Sequence, residues 1–186
     1  QYDFLGSLYV SHHNLPGAIE MFLQSLEIYK ALGDQKEMAK QYANLGSLYA
    51  LSQQFYYAEA MFVNSLNANF TLGNLEGMAK QYENIGSLYY TFKALPKSIE
   101  MFLKSLEIRK QLGHQEEVAK LSSKLGGVYM ANGQLQEAEA RYRKSLEIHQ
   151  TFGQQKEMAE QSQVLAALYV KMGNLSNAEA MYLQSL

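Results

Sequence analysis

The chain has 186 residues, of which 47% are hydrophobic, a composition typical of globular rather than disordered proteins. Its 16 lysines and arginines against 18 aspartates and glutamates give a net charge of -2, so it lacks the positive field of nucleic-acid-binding proteins. It contains no cysteine, which excludes disulfides and thiolate chemistry, and no apolar run as long as a membrane span, so we expect a cytoplasmic protein.

The sequence repeats itself every 40 residues. The string Leu-Gly-Ser-Leu-Tyr occupies residues 5–9 and 45–49, and related strings occupy 85–89, 125–129 and 165–169. The period predicts five repeats in a single domain, at approximately 1–33, 34–73, 74–113, 114–153 and 154–186. Because five full repeats need more residues than the chain has, we expect a piece of a longer array, truncated at both ends.

Each repeat predicts two helices. In the second repeat Tyr42, Leu45 and Tyr49 have the spacing of one helix face, and Ala58 and Phe62 continue that pattern after a turn. We therefore expect first helices near 35–52 and second helices near 55–71, recurring every 40 residues. The whole chain then has ten helices and no strand.

The predicted helices carry recognisable boundaries. Gly33 suits the left-handed position that ends a helix, and Asp34 and Asn74 suit the caps that begin the next one. Glutamates lie three residues after the expected caps and predict partial capping boxes at Glu37, Glu117 and Glu157.

The residues Tyr42, Leu45, Gly46 and Tyr49, followed by Ala58 and Phe62, resemble the tetratricopeptide repeat, whose signature is W-x2-L-G-x2-Y…A-x3-F…P. The resemblance covers the whole chain, and its 40-residue length is similar to the long repeats of kinesin light chains, Pins-type signalling modulators and bacterial regulators. It implies an all-α, right-handed α-solenoid of five antiparallel helix pairs. Small residues such as Gly46 are expected where two helices cross closely.

The resemblance also implies that the first helices line a concave groove that binds a peptide or helix. A helical wheel places one exposed stripe there, and its candidate binding residues are Lys40, Asn44, Ser47, Lys80, Asn84, Ser87, Lys120 and Lys124. Asn44 and Asn84 match the family's asparagine that bonds the backbone of an extended peptide.

The lysines of this stripe predict an acidic protein or peptide partner. The alternative is a solvated face. In that case Lys40, Lys80 and Lys120 pair with glutamates of their own helices, which are Glu37, Glu76 and Glu116.

These features favour a protein–protein interaction scaffold. The alternatives are a ligand- or peptide-sensing segment of a larger signalling or transcriptional regulator, and an accessory segment of an enzyme. The sequence offers no phosphate loop, no nucleophile constellation and no metal-ligand spacing. We therefore expect no catalytic activity, no metal and no cofactor, and neither a nucleic-acid nor a membrane partner.

Both ends of the chain carry interior-type apolar residues. The first helix begins with Tyr2, Phe4 and Leu5, and the last contains Tyr182 and Leu183. Because burial of each such side chain contributes about 1.5–3 kcal/mol, the ends predict end-to-end self-association.

Overall fold

A computed structural model describes residues 1–185 of the chain. Within these residues it has ten α-helices and no strand, which confirms the predicted all-α class. The helices are α1 Tyr2–Ser11, α2 Leu15–Leu32, α3 Gln35–Leu51, α4 Phe55–Thr71, α5 Leu75–Thr91, α6 Leu95–Gln111, α7 Gln115–Ala131, α8 Leu135–Thr151, α9 Gln155–Lys171 and α10 Leu175–Gln184.

The predicted helix boundaries are largely confirmed. The Asp34 carboxylate accepts a hydrogen bond from the Glu37 N–H at 3.1 Å, and α2 ends at Gly33 with a φ of 69°. Such a positive φ strains any residue that carries a Cβ atom. The capping boxes predicted at Glu117 and Glu157 are wrong, because α7 and α9 follow residues whose side chains make no cap bond.

The helices form two compact units, an N-terminal unit of residues 1–91 and a C-terminal unit of residues 92–186. In the N-terminal unit each helix from α1 to α5 packs against the next one. Phe22 and Leu26 of α2 and Leu45 and Leu48 of α3 are buried at one of these contacts. The apolar positions read from the 40-residue pattern therefore form the core of this unit.

In the C-terminal unit α6 to α10 pack in the same successive way. Its core contains fully buried Leu125, Leu165 and Leu168, together with the rings of Tyr142 and Tyr169. The partly buried methionines Met158 and Met181 lie against this core.

Glycine allows first and second helices to approach closely. A Cβ atom added at Gly46 would lie 2.5 Å from the Phe62 ring, and one at Gly126 would lie 2.7 Å from the Tyr142 ring. In α9 the same position is Ala166, and the corresponding ring, Tyr182 of α10, is 47% exposed rather than buried. The Leu-Gly part of the signature is thus a steric requirement of an enclosed ring.

A polar contact joins α8 to α9. The Tyr169 hydroxyl donates to Glu139 Oε1 at 2.5 Å and accepts from Arg143 Nη2 at 2.5 Å, while Arg143 Nε donates to the same carboxylate at 2.8 Å. The bond from Tyr169, with the added effect of the Arg143 guanidinium, lowers the pKa of Glu139 below its usual value. In the N-terminal unit the Tyr89 hydroxyl likewise donates to Glu59.

The turn between the two helices of a repeat needs a residue with positive φ. Gly133 and Gly173 supply it in two of the repeats, at 77° and 75°. In the other three repeats His13, Gln53 and Lys93 occupy this position with φ between 56° and 59°. A side chain with a Cβ atom makes this conformation costly, by about 1–2 kcal/mol.

Candidate functional site

The predicted stripe residues of the N-terminal unit lie on the accessible face of α3 and α5. Lys40, Ser47, Lys80 and Ser87 are exposed. The two asparagines, Asn44 and Asn84, are half-buried. A role in binding stays a prediction for all six.

Three of these residues line one pocket. Ser47, Asn84 and Ser87 border a pocket of about 380 Å³ between α3 and α5, which we call the serine pocket. Leu51 and Phe55 supply apolar surface to it. The hydroxyl of Ser47 is already used within α3, where it donates to the Ala43 carbonyl at 3.0 Å, so it meets a ligand mainly as an acceptor.

The lysines of the same unit line a second pocket of about 370 Å³, nearer the beginnings of α3 and α5. Lys40 Nζ lies 3.4 Å from Glu37, as the solvated-face alternative predicts, but such an exposed pair contributes little. Lys80 forms no ion pair with any residue between 1 and 185, so the predicted Lys80–Glu76 pair is absent there.

The C-terminal unit has a pocket of about 550 Å³ between α7 and α9, which we call the dipolar pocket. Its α7 wall carries Lys120 and Lys124, and its α9 wall carries Glu157 and Glu160. It is also lined by Ser123, Tyr142, His149, Gln161 and Val164. Two predicted site residues, Lys120 and Lys124, therefore share one wall of one pocket.

Lys120 differs from Lys40 in its surroundings. The carboxylate that was its predicted partner, Glu116, instead accepts a hydrogen bond from Gln154 Nε2 at 3.2 Å. Lys120 has no ion pair within the part of the chain that the structure describes. Its charge is thus directed at the pocket and the solvent rather than at the protein.

Buried glutamine amides are the feature that the sequence reasoning missed. Gln161 is only 4% exposed, and its Nε2 has no hydrogen-bond partner. In the N-terminal unit both amide atoms of buried Gln41 also lack a partner, whereas the Oε1 of Gln81 accepts from Asn84 Nδ2 at 3.1 Å. The residue equivalent to Asn84 in α9 is Val164, which cannot form that bond. A glutamine at 41, 81 and 161 was the available signal.

Two further kinds of feature are absent from the described residues. Between residues 1 and 185 no group of His, Asp or Glu side chains has the arrangement needed to hold a metal ion. No helix of that same range combines the length and the hydrophobicity that crossing a membrane requires.

The successive helix pairs, with their accessible first-helix faces, define an α-helical-repeat protein. A tetratricopeptide-repeat family model matches residues 117–186. This match supports the tetratricopeptide-repeat resemblance for that part of the chain, and solved structures of the same fold confirm the solenoid class of fold. No curated protein sequence matches the chain.

Three similar structures illustrate the fold. RapI in its apo form superposes with a TM-score of 0.91 at 18% identity, over 99% of this chain and 51% of RapI. The nearly identical TPR-like repeats of a Podosopora anserina kinesin light chain superpose with a TM-score of 0.83 at 18% identity, over 99% of this chain and 91% of that one. A Rap protein complexed with Competence and Sporulation Factor superposes with a TM-score of 0.72 at 18% identity, over 99% of this chain and 52% of the Rap protein. The chain spans about half the length of each Rap protein.

Proposed function

We propose that this chain is a non-catalytic interaction scaffold that binds a peptide segment of a partner protein along its first helices. The observation that carries the proposal is that pockets lie between successive first helices in both units. These pockets are lined by hydroxyls, amides and charged groups, which suit a polar peptide backbone and its side chains. We further propose a cytoplasmic location, consistent with the absence of cysteine.

Asn44 is the residue on which we test this proposal. It is half-buried on α3 and makes no side-chain hydrogen bond to residues 1–185, so its amide can bond a ligand backbone. Asn84 is a poorer choice, because its removal would also leave buried Gln81 without its partner. We therefore use Asn44→Ala alone, rather than both asparagines together.

The test begins with a display library of random twelve-residue peptides, selected on the immobilised chain. We expect Asn44→Ala to weaken binding of a selected peptide by about 2–10-fold, the equivalent of one neutral hydrogen bond, with an unchanged thermal midpoint. The matched control is Asn67→Ala, which removes an exposed asparagine from a second helix, α4. Equal affinities of the two variants would contradict the assignment of the first-helix face.

A second candidate is the sensing segment of a larger regulator. The Rap protein complexed with Competence and Sporulation Factor favours it, because that protein has this fold and is bound to that factor. The distinguishing observation is the full-length gene. An output domain joined to these repeats would support the sensing role, whereas an array of repeats alone would contradict it.

We also propose end-to-end association of two copies. A groove of about 760 Å³ on α9 and α10 is lined by Val170, Leu175 and Leu183, all at least half exposed. Within the N-terminal unit α3 covers the equivalent face of α2, and α5 covers that of α4. The α1 helix has apolar residues at the same repeat positions as α3 and α5.

The α1 helix of a second copy, on which Phe4 is 73% exposed, therefore suits this groove. We expect the weight-average sedimentation coefficient to rise with concentration, and Leu183→Lys to abolish the rise. A monomer at every concentration would contradict the proposal.

A further inference from the structure

We infer that the dipolar pocket of the C-terminal unit selects a peptide segment carrying one acidic and one basic side chain, rather than a purely acidic one. The inference rests on the proposed peptide-binding function and specifies the ligand of one part of the site. Its starting point is the charge of the two walls. Lys120 and Lys124 lie on α7, while Glu157 and Glu160 lie on α9.

The α7 wall suits a ligand carboxylate. Gln161 lines this pocket, and its buried Nε2 donor has no partner, which is a costly arrangement that a ligand oxygen would relieve. Lys120 is exposed and has no ion pair among residues 1–185. One carboxylate accepting from both groups would gain a charge-assisted hydrogen bond and would satisfy the buried amide.

The α9 wall suits a ligand cation. Glu157 is half-buried and has no ion pair among the described residues. Among residues 1–185 Glu160 pairs only with Lys156, at 3.8 Å between side chains that are 66% and 84% exposed, so water screens that contact. An acidic side chain next to these two carboxylates would be repelled, which argues against a purely acidic segment.

An extended peptide can meet both walls. Its side chains alternate, so residues i and i+2 point to the same side about 7 Å apart. The expected pattern is therefore an acidic and a basic residue separated by one other residue, in either order. The equivalent pocket of the N-terminal unit lacks this demand, because its glutamine, Gln81, has no buried side-chain atom without a partner and Lys40 is paired with Glu37.

The experiment uses the same random twelve-residue library and the whole chain. We expect the selected peptides to be enriched in acid-x-base or base-x-acid patterns. Gln161→Leu removes the unpaired donor and introduces the residue that the chain itself has at the equivalent position, Leu121. The double variant Gln161→Leu, Lys120→Ala should bind a selected peptide about tenfold more weakly than the wild type. It should also lose the preference for the acidic residue.

The double variant Glu157→Gln, Glu160→Gln should instead remove the preference for the basic residue. The matched controls are Lys144→Ala and Glu147→Gln, which alter an exposed ion pair on α8 and should leave the selection unchanged. Thermal midpoints of all variants establish that each is folded.

The outcomes separate the inference from the function on which it rests. Selected peptides that are purely acidic, or that show no charge preference, would overturn the inference and leave peptide binding intact. Failure to select any peptide would overturn the proposed function itself. A mixed-charge preference that survives both the α7 and the α9 variants would also overturn the inference, because the charges would then be recognised elsewhere.

Discussion

Two adjacent glycines of α7 separate the steric effect of an added methyl group from its effect on helix propensity. A Cβ atom at Gly126 would lie 2.7 Å from the Tyr142 ring, whereas one at Gly127 would lie 3.6 Å from the hydroxyl of that tyrosine. The first distance requires the ring to move, and the second is an ordinary contact. Tyr142 is only 3% exposed, so its ring has little space into which to move.

The expected magnitudes follow from these distances. Replacement of glycine by alanine inside a helix stabilises the fold by about 1 kcal/mol, and both sites gain this equally. Overpacking a buried ring costs about 1–3 kcal/mol, and only Gly126→Ala incurs it. The free energy of unfolding of Gly126→Ala should therefore be about 1–3 kcal/mol below that of Gly127→Ala, and Gly127→Ala should exceed the wild type.

Urea denaturation followed by far-UV circular dichroism measures both variants. The same substitutions are then made in a chain that carries Tyr142→Leu and so lacks the ring. In that chain Gly126→Ala should raise the free energy of unfolding as much as Gly127→Ala does. If both alanines stabilise the wild-type chain equally, the ring yields without cost and the steric explanation of the Leu-Gly motif is refuted. Ala166 is the natural precedent, since the tyrosine at the corresponding position of α10, Tyr182, is half exposed.

Two further predictions concern stability. Asp34→Ala removes the acceptor of the Glu37 N–H and should lower the free energy of unfolding by about 0.5–2 kcal/mol. The control is Gln54→Ala, which should change that free energy little because α4 begins without a side-chain cap bond. Equal losses in the two variants would contradict the capping role of Asp34. The Tyr169 hydroxyl and the Arg143 guanidinium lower the pKa of Glu139 in the folded chain below its unfolded value of about 4.3. The ionised Glu139 carboxylate therefore stabilises the fold fully above about pH 4.3, and this contribution is lost as the pH falls through the folded pKa. Glu139→Gln should flatten that part of a pH series of urea titrations, and an unchanged slope would show that this carboxylate is not responsible.

The 40-residue period made most of the fold predictable. Apolar spacing located α3 and α4 to within a residue, because burial of one helix face leaves few alternatives. Capping chemistry was predictable where an aspartate such as Asp34 stands at the boundary. It failed at His114 and Gln154, where a glutamate three residues later was insufficient evidence by itself.

The details of the candidate site were less predictable, because they depend on which side chains meet across repeats. Glu116 accepts from Gln154, a residue 38 positions further along the chain, and so it is not paired with Lys120. The lysines of α7 and the glutamates of α9 line one pocket only because the two helices pack side by side. The unpaired Nε2 of Gln161 likewise becomes visible only once the surrounding helices are packed.

The positive-φ turns give the helix pairs unequal resistance to opening. Because each pair in a repeat protein contacts only its neighbours, pairs can separate locally without unfolding the whole chain. Hairpins that turn at His13 or Gln53 retain backbone strain that those turning at Gly133 or Gly173 do not. Their amides should exchange with solvent sooner, so the order in which parts of the chain open is set by a few surface residues that contribute nothing to the core.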